Sequence, residues 1–262
     1  MNHNALRLVA FCSLWVTFAA AEWHSPRHVA KAERLRRWPI NLSLGVIGTL
    51  CLQAVMPWLA VDAALIGEDR QIGGLHALHL PPLIKAMAGI ITLDLSIYMQ
   101  HRLMHRLPLL WRLHRVHHTD ASLDVSSATR FHPAEIALSM VWKIGVVLAF
   151  GIAPVAVLSF EILLSSFALF THANVSIPER WECVIRTVFV TPEMHRIHHS
   201  IEHEEHRRNF CFHLSLWDRV FGTYCATPIE PPRSMKLGLT GLGYPAEQTL
   251  LRLLLMPLKR EG

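Results

Sequence analysis

The stretch LPPLIKAMAGIITLDLSIYMQHRLMHRLPLLWRLHRVHH, residues 80–118, runs from an apolar segment directly into two groups of histidines. Its apolar part, about Leu80 to Met99, is as long as a membrane-spanning helix, which needs about 20 such residues. The stretch therefore predicts a helix that leaves a membrane and carries histidines at that end.

Four other apolar stretches lie at about 6–23, 39–64, 134–150 and 155–170. The last two are joined by Gly151-Ile152-Ala153-Pro154, in which a glycine stops one helix and a proline restarts the next, so they form a hairpin. Both are near the short limit for a span, which leaves a spanning pair and a re-entrant hairpin open. The predicted fold is an all-α integral membrane protein with about four to five membrane helices or hairpins and a cytoplasmic helical cap that carries the histidines.

The composition supports a membrane protein. Of 262 residues, 52% are hydrophobic and 17% are charged, whereas soluble domains average about 25% charged residues. The net charge of +5 comes from Lys and Arg beside apolar stretches, which favours lipid headgroups over nucleic acid as the contact. Five cysteines without a CxxC pair indicate neither a disulfide framework nor a cysteine zinc site.

Three regions are expected: N-terminal membrane helices and loops at 1–79, a catalytic domain at 80–226, and a C-terminal tail with a short apolar helix at 227–262. The first apolar stretch ends in three alanines, as a cleaved signal does, but its strong positive charges follow it, which favours a retained anchor. The basic loop after that stretch should be cytoplasmic. Alternating spans then place 101–133 and 172–262, the histidine-rich segments, on the same side.

Eighteen histidines stand against three tyrosines. A pair at i and i+4 shares one helix face, and HxxHH occurs twice about eighty residues apart, with one further histidine at the end of the fifth apolar stretch. The predicted metal ligands are His101, His105, His114, His117, His118, His172, His195, His198 and His199. Nine imidazoles suit two metal ions with about four or five nitrogen ligands each.

The pattern favours two irons. Neutral imidazole suits Fe, Zn, Cu and Ni, but zinc has no redox chemistry. Two irons can together supply the electrons that reduce O2, the expected co-substrate, to an oxidant of C–H bonds. The alternatives are a histidine-rich divalent metal transporter or metal-binding membrane protein without catalysis, a b-type haem carrier, and an inverted zinc peptidase motif at His199-Ser-Ile-Glu202-His203.

The order of these motifs resembles the fatty acid hydroxylase/sterol desaturase superfamily over about residues 85–226. The resemblance is carried by the histidine groups, with Asp94, Tyr98 and Arg102 around the first, and by the segments 110–114, 130–135, 172–175, 209–210 and 216–224. It implies that the nine histidines bind two non-haem irons. Only His172 stands in the central region, where some members have a fuller HxxxH, so the ligand number on one metal stays open.

The resemblance further implies O2-dependent hydroxylation, or else desaturation, of a fatty acyl, sterol, carotenoid or alkyl-lipid substrate. The electrons would come from a separate donor protein, either cytochrome b5-like or a ferredoxin with its reductase. Of the two reactions, hydroxylation is the preferred expectation.

Two further sets of residues are candidates for supporting roles. Side chains that could orient the ligand histidines are Asp94, Tyr98, His132 and Asn174, with a helix-end role as the alternative for Asp94 and a helix cap for His132. His203 and His206 are expected in a solvated loop. The residues expected to hold the cap closed are Asn209, Trp217, Asp218 and Gly222.

Overall fold

The computed structural model describes residues 3–28, 31–232, 234–241 and 248–259. In these residues the chain is helical, and β structure is limited to three isolated bridges. The α-helices are α1 (His3–His24), α2 (Lys31–Val55), α3 (Ala60–Asp69), α4 (Gly74–Ala77), α5 (Pro82–Arg106), α6 (Pro108–His118), α7 (Pro133–Phe150), α8 (Pro154–His172), α9 (Glu179–Ile185), α10 (Pro192–His198), α11 (Leu216–Val220) and α12 (Leu250–Leu255). Short 3-10 helices lie at Val125–Thr129 and Met256–Leu258.

Five segments are long and apolar enough to cross a membrane: His3–His24, Glu33–Ala77, Pro82–Arg106, Pro133–Phe150 and Pro154–His172. Most of their residues are not buried inside the protein, as expected for helices that face lipid. The chain is therefore a multi-pass, all-α membrane protein, which confirms the predicted helical class and its membrane helices; the cytoplasmic position of the histidines stays a prediction.

The third apolar stretch forms α5, which continues without a break through His101 and His105 to Arg106. Its 25 residues extend over about 37 Å, more than the roughly 30 Å of a hydrocarbon core. The histidines at its end therefore lie at or beyond the membrane boundary.

The stretch at 39–64 is divided between two helices, which differs from the single span expected. Helix α2 ends at Val55, and α3 begins at Ala60. Pro57 explains the break, because proline lacks the backbone N–H that an α-helix needs and disfavours a helical conformation in the residue before it.

The hairpin of α7 and α8 is confirmed. Gly151 closes α7 in the left-handed conformation, with φ +69°, and Pro154 is the first residue of α8. The loop before α4 packs on this turn through Gly73, whose φ of 104° and ψ of 157° are essentially restricted to glycine. The close approach joins the α3–α4 loop to the end of the hairpin.

Buried charged side chains fasten the N-terminal helices to the loops that follow the histidines. Arg37 of α2 donates to Asp120 at 2.6 Å and to Asp124 at 2.8 Å. Glu22 of α1 accepts from the backbone N–H groups of Val125, at 2.6 Å, and Asn174, at 2.8 Å. Both N-terminal helices therefore position loop residues that follow the candidate ligands His118 and His172 in the sequence.

Replacing Gly73 by alanine should destabilise the protein by about 2 kcal/mol or more, because a Cβ there would lie 2.0 Å from the backbone nitrogen of Gly151 and the backbone conformation is strained for alanine. Gly145→Ala is the matched control, since a Cβ at that helical site meets nothing within 4 Å. Thermal unfolding in detergent measures both. Equal melting temperatures for the two variants would contradict the close packing at Gly73.

Candidate metal centre

The nine predicted histidines come together in two groups where α5, α6, α8 and α10 end. The first group is His101, His105, His114, His118 and His198, and the second is His117, His172, His195 and His199. Within each group, the candidate ligand atoms lie within 4.8 Å of one another. Each group therefore has the size of one metal site.

Each HxxHH segment contributes to both groups. In α6, His114 and His118 join the first group and His117 joins the second; in the α10 segment, His195 and His199 join the second and His198 joins the first. Successive helical residues are about 100° apart around the helix axis. Positions i and i+4 are therefore about 40° apart, whereas i+3 lies about 100° from i+4. The α6 segment therefore gives two histidines to the first group and one to the second, whereas the α10 segment gives one to the first and two to the second.

Facing ring nitrogens have the spacing of ligands on a common ion. In the first group, the Nε2 atom of His101 lies 3.1 Å from that of His114 and 3.0 Å from that of His198. In the second, His172 Nε2 lies 3.1 Å from His117 Nε2 and 3.0 Å from His195 Nε2. Two metal–nitrogen bonds of about 2.1 Å at a right angle would separate their nitrogens by about 3.0 Å.

Acceptors on the far side of the rings determine which nitrogen carries the proton. The Nδ1 atoms of five histidines each face an oxygen: His101 the carbonyl of Phe210 (2.7 Å), His114 the Glu135 carboxylate (2.6 Å), His117 the carbonyl of Arg130 (3.2 Å), His172 the carbonyl of Ala168 (2.7 Å) and His198 the carbonyl of Arg208 (2.7 Å). Because Nδ1–H donates to these oxygens, Nε2 of a neutral ring keeps its lone pair.

These lone pairs face each other, an arrangement that a bound metal ion would stabilise. His101 with His114, His101 with His198, and His117 with His172 are pairs in which both Nδ1 atoms are already donors. Neither neutral ring can then donate to the other. Both ring nitrogens of His105 and His118 are also buried without a hydrogen-bond partner in the described part of the chain, which is costly unless something binds them.

Burial keeps the rings neutral. It lowers the pKa of His117, His118, His195, His198 and His199 below the ordinary histidine value, and neighbouring imidazoles lower it further. Neutral imidazole is the form that binds a metal, and an all-imidazole donor set suits iron among the borderline ions. The residues therefore fit two metal ions, with five candidate ligands for one and four for the other.

The four residues expected to orient the ligands contact other groups. Asp94 accepts an imidazole N–H, but from His213 (2.5 Å) rather than from one of the nine, and also accepts from the indole of Trp217 (2.8 Å). The hydroxyl of Tyr98 is hydrogen-bonded to Thr223. These side chains hold α5 against the cap.

His132 and Asn174 also lie outside the ligand contacts. The Nδ1 of His132 accepts from the N–H of Ala134 and caps α7, as in the alternative considered for it. The amide of Asn174 pairs with both backbone groups of His28. The carboxylate that does contact a ligand, Glu135, belongs to one of the motif segments, yet its spacing from His114 gave no signal of the contact.

The cap residues orient ligands indirectly. The Asp218 carboxylate accepts from the backbone N–H groups of Phe210, at 2.9 Å, and Cys211, at 3.0 Å, and Phe210 in turn presents its carbonyl to His101. Asn209 adopts φ 52° and bonds through its amide to the backbone of Met194 and Cys225. Gly222, with φ 69°, turns the chain back toward this segment.

The loop at 201–208 is only partly solvated, which corrects one expectation. His203 is exposed, but Glu205 is buried and accepts from the N–H of Ile229. The His206 ring stacks on Trp111, with an interplanar angle of 7° and centroids 5.5 Å apart. The polar sequence gave no signal of this packing.

A cavity of about 840 Å³ adjoins the first histidine group. His101 and His114 line one end, and its walls come from the membrane helices α1, α2, α5, α7 and α8. Most lining residues are apolar, and three of them, Leu8 of α1 with Val46 and Leu50 of α2, are also more than half exposed. The cavity therefore opens toward the surrounding lipid between α1 and α2.

The fold and the site define a multi-pass membrane protein in which two histidine groups, each suited to a metal ion, lie beside an apolar cavity. The fatty acid hydroxylase family model matches residues 86–223, and the chain belongs to that family. This match confirms the resemblance seen in the histidine motifs.

Three relatives illustrate the family. An ornithine lipid hydroxylase of Rhizobium tropici is 31% identical over 189 residues, covering 70% of this chain and 53% of the relative. Human alkylglycerol monooxygenase is 26% identical over 138 residues, with 52% and 30% covered. A cholesterol 25-hydroxylase-like protein of Danio rerio is 23% identical over 243 residues, with 82% and 87% covered.

The chain thus spans about half the length of the rhizobial relative and less than a third of the human one. No solved structure matches it.

We expect the purified protein to contain about two irons per chain and His105→Ala or His172→Ala to contain about one, because each variant removes a ligand from a different group. Elemental analysis by mass spectrometry measures the ratio. His203→Ala, which changes an exposed histidine outside both groups, should keep two. Two irons in either ligand variant would argue against the assignment of that ligand.

Proposed function

We propose that the chain is a membrane-bound, O2-dependent di-iron oxidoreductase that hydroxylates a lipid-like substrate, with 80–226 as its catalytic domain. The observation that carries the proposal is the convergence of nine histidines in two groups at the end of an apolar cavity between membrane helices. A bound pair of irons would supply the reduction of O2 and the oxidation of a C–H bond.

A lipid chain suits the cavity by size and chemistry. A volume of about 840 Å³ lies within the roughly 300–1,000 Å³ of small-molecule sites. Met104, Phe131 and Phe212 form apolar wall beside the histidines, so a bound alkyl chain would displace water there. The opening between α1 and α2 would admit such a chain sideways from the bilayer.

The protein's own groups orient the centre before a substrate binds. The carbonyls of Phe210, Arg130, Ala168 and Arg208, together with the Glu135 carboxylate, hold five rings in one tautomer. Such contacts fix ring orientation and raise ligand basicity, so they present the Nε2 atoms of these rings to a metal ion.

Hydroxylation is favoured over desaturation by the names of the relatives, which are a lipid hydroxylase, a monooxygenase and a sterol hydroxylase-like protein. The substrate is proposed as a sterol, a fatty acyl lipid or another isoprenoid or alkyl lipid. The transporter alternative is disfavoured because the histidines lie at helix ends, whereas transporter sites lie near the bilayer midplane.

Electrons are proposed to arrive on the cytoplasmic face from a cytochrome b5-like protein or a ferredoxin with its reductase. His105 supports this route, because it is the one ligand candidate of the nine that is not fully buried. Its ring lies 5.0 Å from Trp111, which carries the stacked His206. This aromatic group links the first histidine group to the surface of the cap.

Expression of the gene should produce an oxygenated lipid, and His117→Ala should abolish it by removing one ligand and the stacking partner of Phe131. Lipid extracts of cells with the wild type, the variant and no gene are compared by mass spectrometry, with 18O2 to label the inserted oxygen. His79→Ala, an exposed site, is the control and should keep full activity. A fully active, folded His117→Ala protein would refute the ligand assignment.

A further inference from the structure

Helix α7 carries a row of polar side chains on its cavity side. Glu135, Ser139 and Lys143 are four residues apart, so they lie along one face of the helix, and all three line the cavity. The other residues of α7 are apolar, so these three polar side chains are an exception in the helix. It begins at the metal centre and extends into the membrane region.

Each member of the row meets a polar group of a different helix. Glu135 contacts His114 of α6 at 2.6 Å, Ser139 accepts from Gln100 of α5 at 2.8 Å, and the Lys143 ammonium donates to Glu161 of α8 at 2.7 Å. Each polar side chain of the row therefore has a hydrogen-bond or ion-pair partner on a neighbouring helix.

The far end of the row has more positive than negative charge. The guanidinium of Arg7 in α1 lies 3.2 Å from the second oxygen of Glu161, so one carboxylate is shared by two cations. Asp62 on the adjoining α3 instead accepts from the N–H of Leu59 and lies 3.8 Å from His3. The charged groups that line this end of the cavity are thus two cations and one anion.

The two cations at this end of the cavity share one carboxylate, so they would attract an anionic ligand group. Lys143 and Glu161 are buried in membrane-spanning helices, where charged groups are costly and typically serve a function. Lys143 is matched by Glu161, and Arg7, whose side chain is 30% exposed, brings a second cation to the same carboxylate. A negatively charged ligand group in the cavity would complete the balance.

We propose that Arg7 and Lys143 form a binding subsite for the anionic group, a carboxylate or a phosphate, of the lipid substrate. Glu161 holds the two cations in place. The alkyl chain of the same molecule extends from this subsite past the apolar lining of the cavity to His101 and His114. This inference rests on the proposed function, because it describes how the substrate of that reaction is bound.

The length of the row determines where the chain would be oxidised. Lys143 follows Glu135 by eight residues of α7, which is a rise of about 12 Å. The anionic group therefore lies at about that distance from the metal centre. Oxidation occurs well along the alkyl chain and not beside the anionic group.

The opening of the cavity is compatible with this binding mode. Helices α1 and α2 contact each other toward the cap, where Trp15 packs edge-on against Trp38 and Glu22 lies 3.6 Å from Arg34. Toward the other end, Leu8 and Val46 are exposed and line the cavity. The opening is therefore on the same side of the bundle as Arg7.

The test compares ligands that differ only in charge. Full-length, iron-loaded protein in nanodiscs of zwitterionic lipid is titrated with palmitate, hexadecyl phosphate and methyl palmitate, and binding is measured by calorimetry. We expect at least one of the two anions to bind about tenfold more tightly than the ester. Inorganic phosphate alone should not compete, because it lacks the alkyl chain; competition by phosphate at equal concentration would refute a lipid subsite.

Variants test the assignment. Lys143→Gln and Arg7→Gln should each remove most of the preference for the anion, whereas Lys143→Arg should keep it. Lys236→Gln, an exposed lysine outside the cavity, is the matched control and should behave as wild type. If Lys143→Gln does not fold, Arg7→Gln decides, because the Arg7 side chain is 30% exposed and its loss leaves Lys143 paired with Glu161.

Two outcomes would overturn the subsite: equal affinity of wild type for the anions and the ester, or an unchanged anion preference in folded Lys143→Gln and Arg7→Gln proteins. The proposed function is separated from it by the product. Anion-selective binding without any oxygenated lipid would refute the function and keep the subsite. Oxygenation of neutral and anionic lipids at equal rates would refute the subsite and keep the function.

Discussion

The structure depends on holding neutral imidazoles so that their lone pairs point at two small volumes. Without a cation, facing lone pairs repel, and rings this far buried would otherwise be better solvated in water. The arrangement is maintained because each HxxHH segment lies on a short helix and because oxygens behind five of the rings fix their tautomer. A metal ion bound by these histidines would therefore stabilise the folded form of this region.

Polar contacts help to position the ligand-bearing segments. The site lies where helices end, so the chain between them has backbone groups that a helix does not satisfy. Asp218 binds two such N–H groups at 210–211, and Glu22 binds two more at Val125 and Asn174. Arg37 joins Asp120 and Asp124 across from them. Buried ion pairs of this kind add little net stability but are strongly disruptive when one partner is lost, which suits residues that fix a geometry.

Sequence alone was sufficient for the features that have a local signature. The spacing of the histidines identified the two groups' nine members, and Gly151 with Pro154 identified the hairpin. The division into groups of five and four depends on how α6 and α10 face each other, which no local pattern contains. The ring acceptors are mostly backbone carbonyls, which any residue type provides, so they leave no trace in the sequence. The partner of Asp94, His213, is 119 residues away, and only tertiary packing brings the two together.

The ion pair of Lys143 and Glu161 was also not predicted, although the sequence did contain a signal for it. Lys143 lies well inside the apolar stretch 134–150, Glu161 is the single charge of 155–170, and a charge in a membrane helix requires a partner. The two helices of one hairpin supply those partners to each other, since Lys143 and Glu161 pair across α7 and α8. Arg7 then brings α1 to the same carboxylate. Helix α7 of the hairpin therefore carries two charged residues that contact different parts of the site: Glu135 contacts His114, and Lys143 contacts Glu161. Because one rigid helix bears both, the distance between the charged end of the cavity and the histidines is fixed by α7 itself.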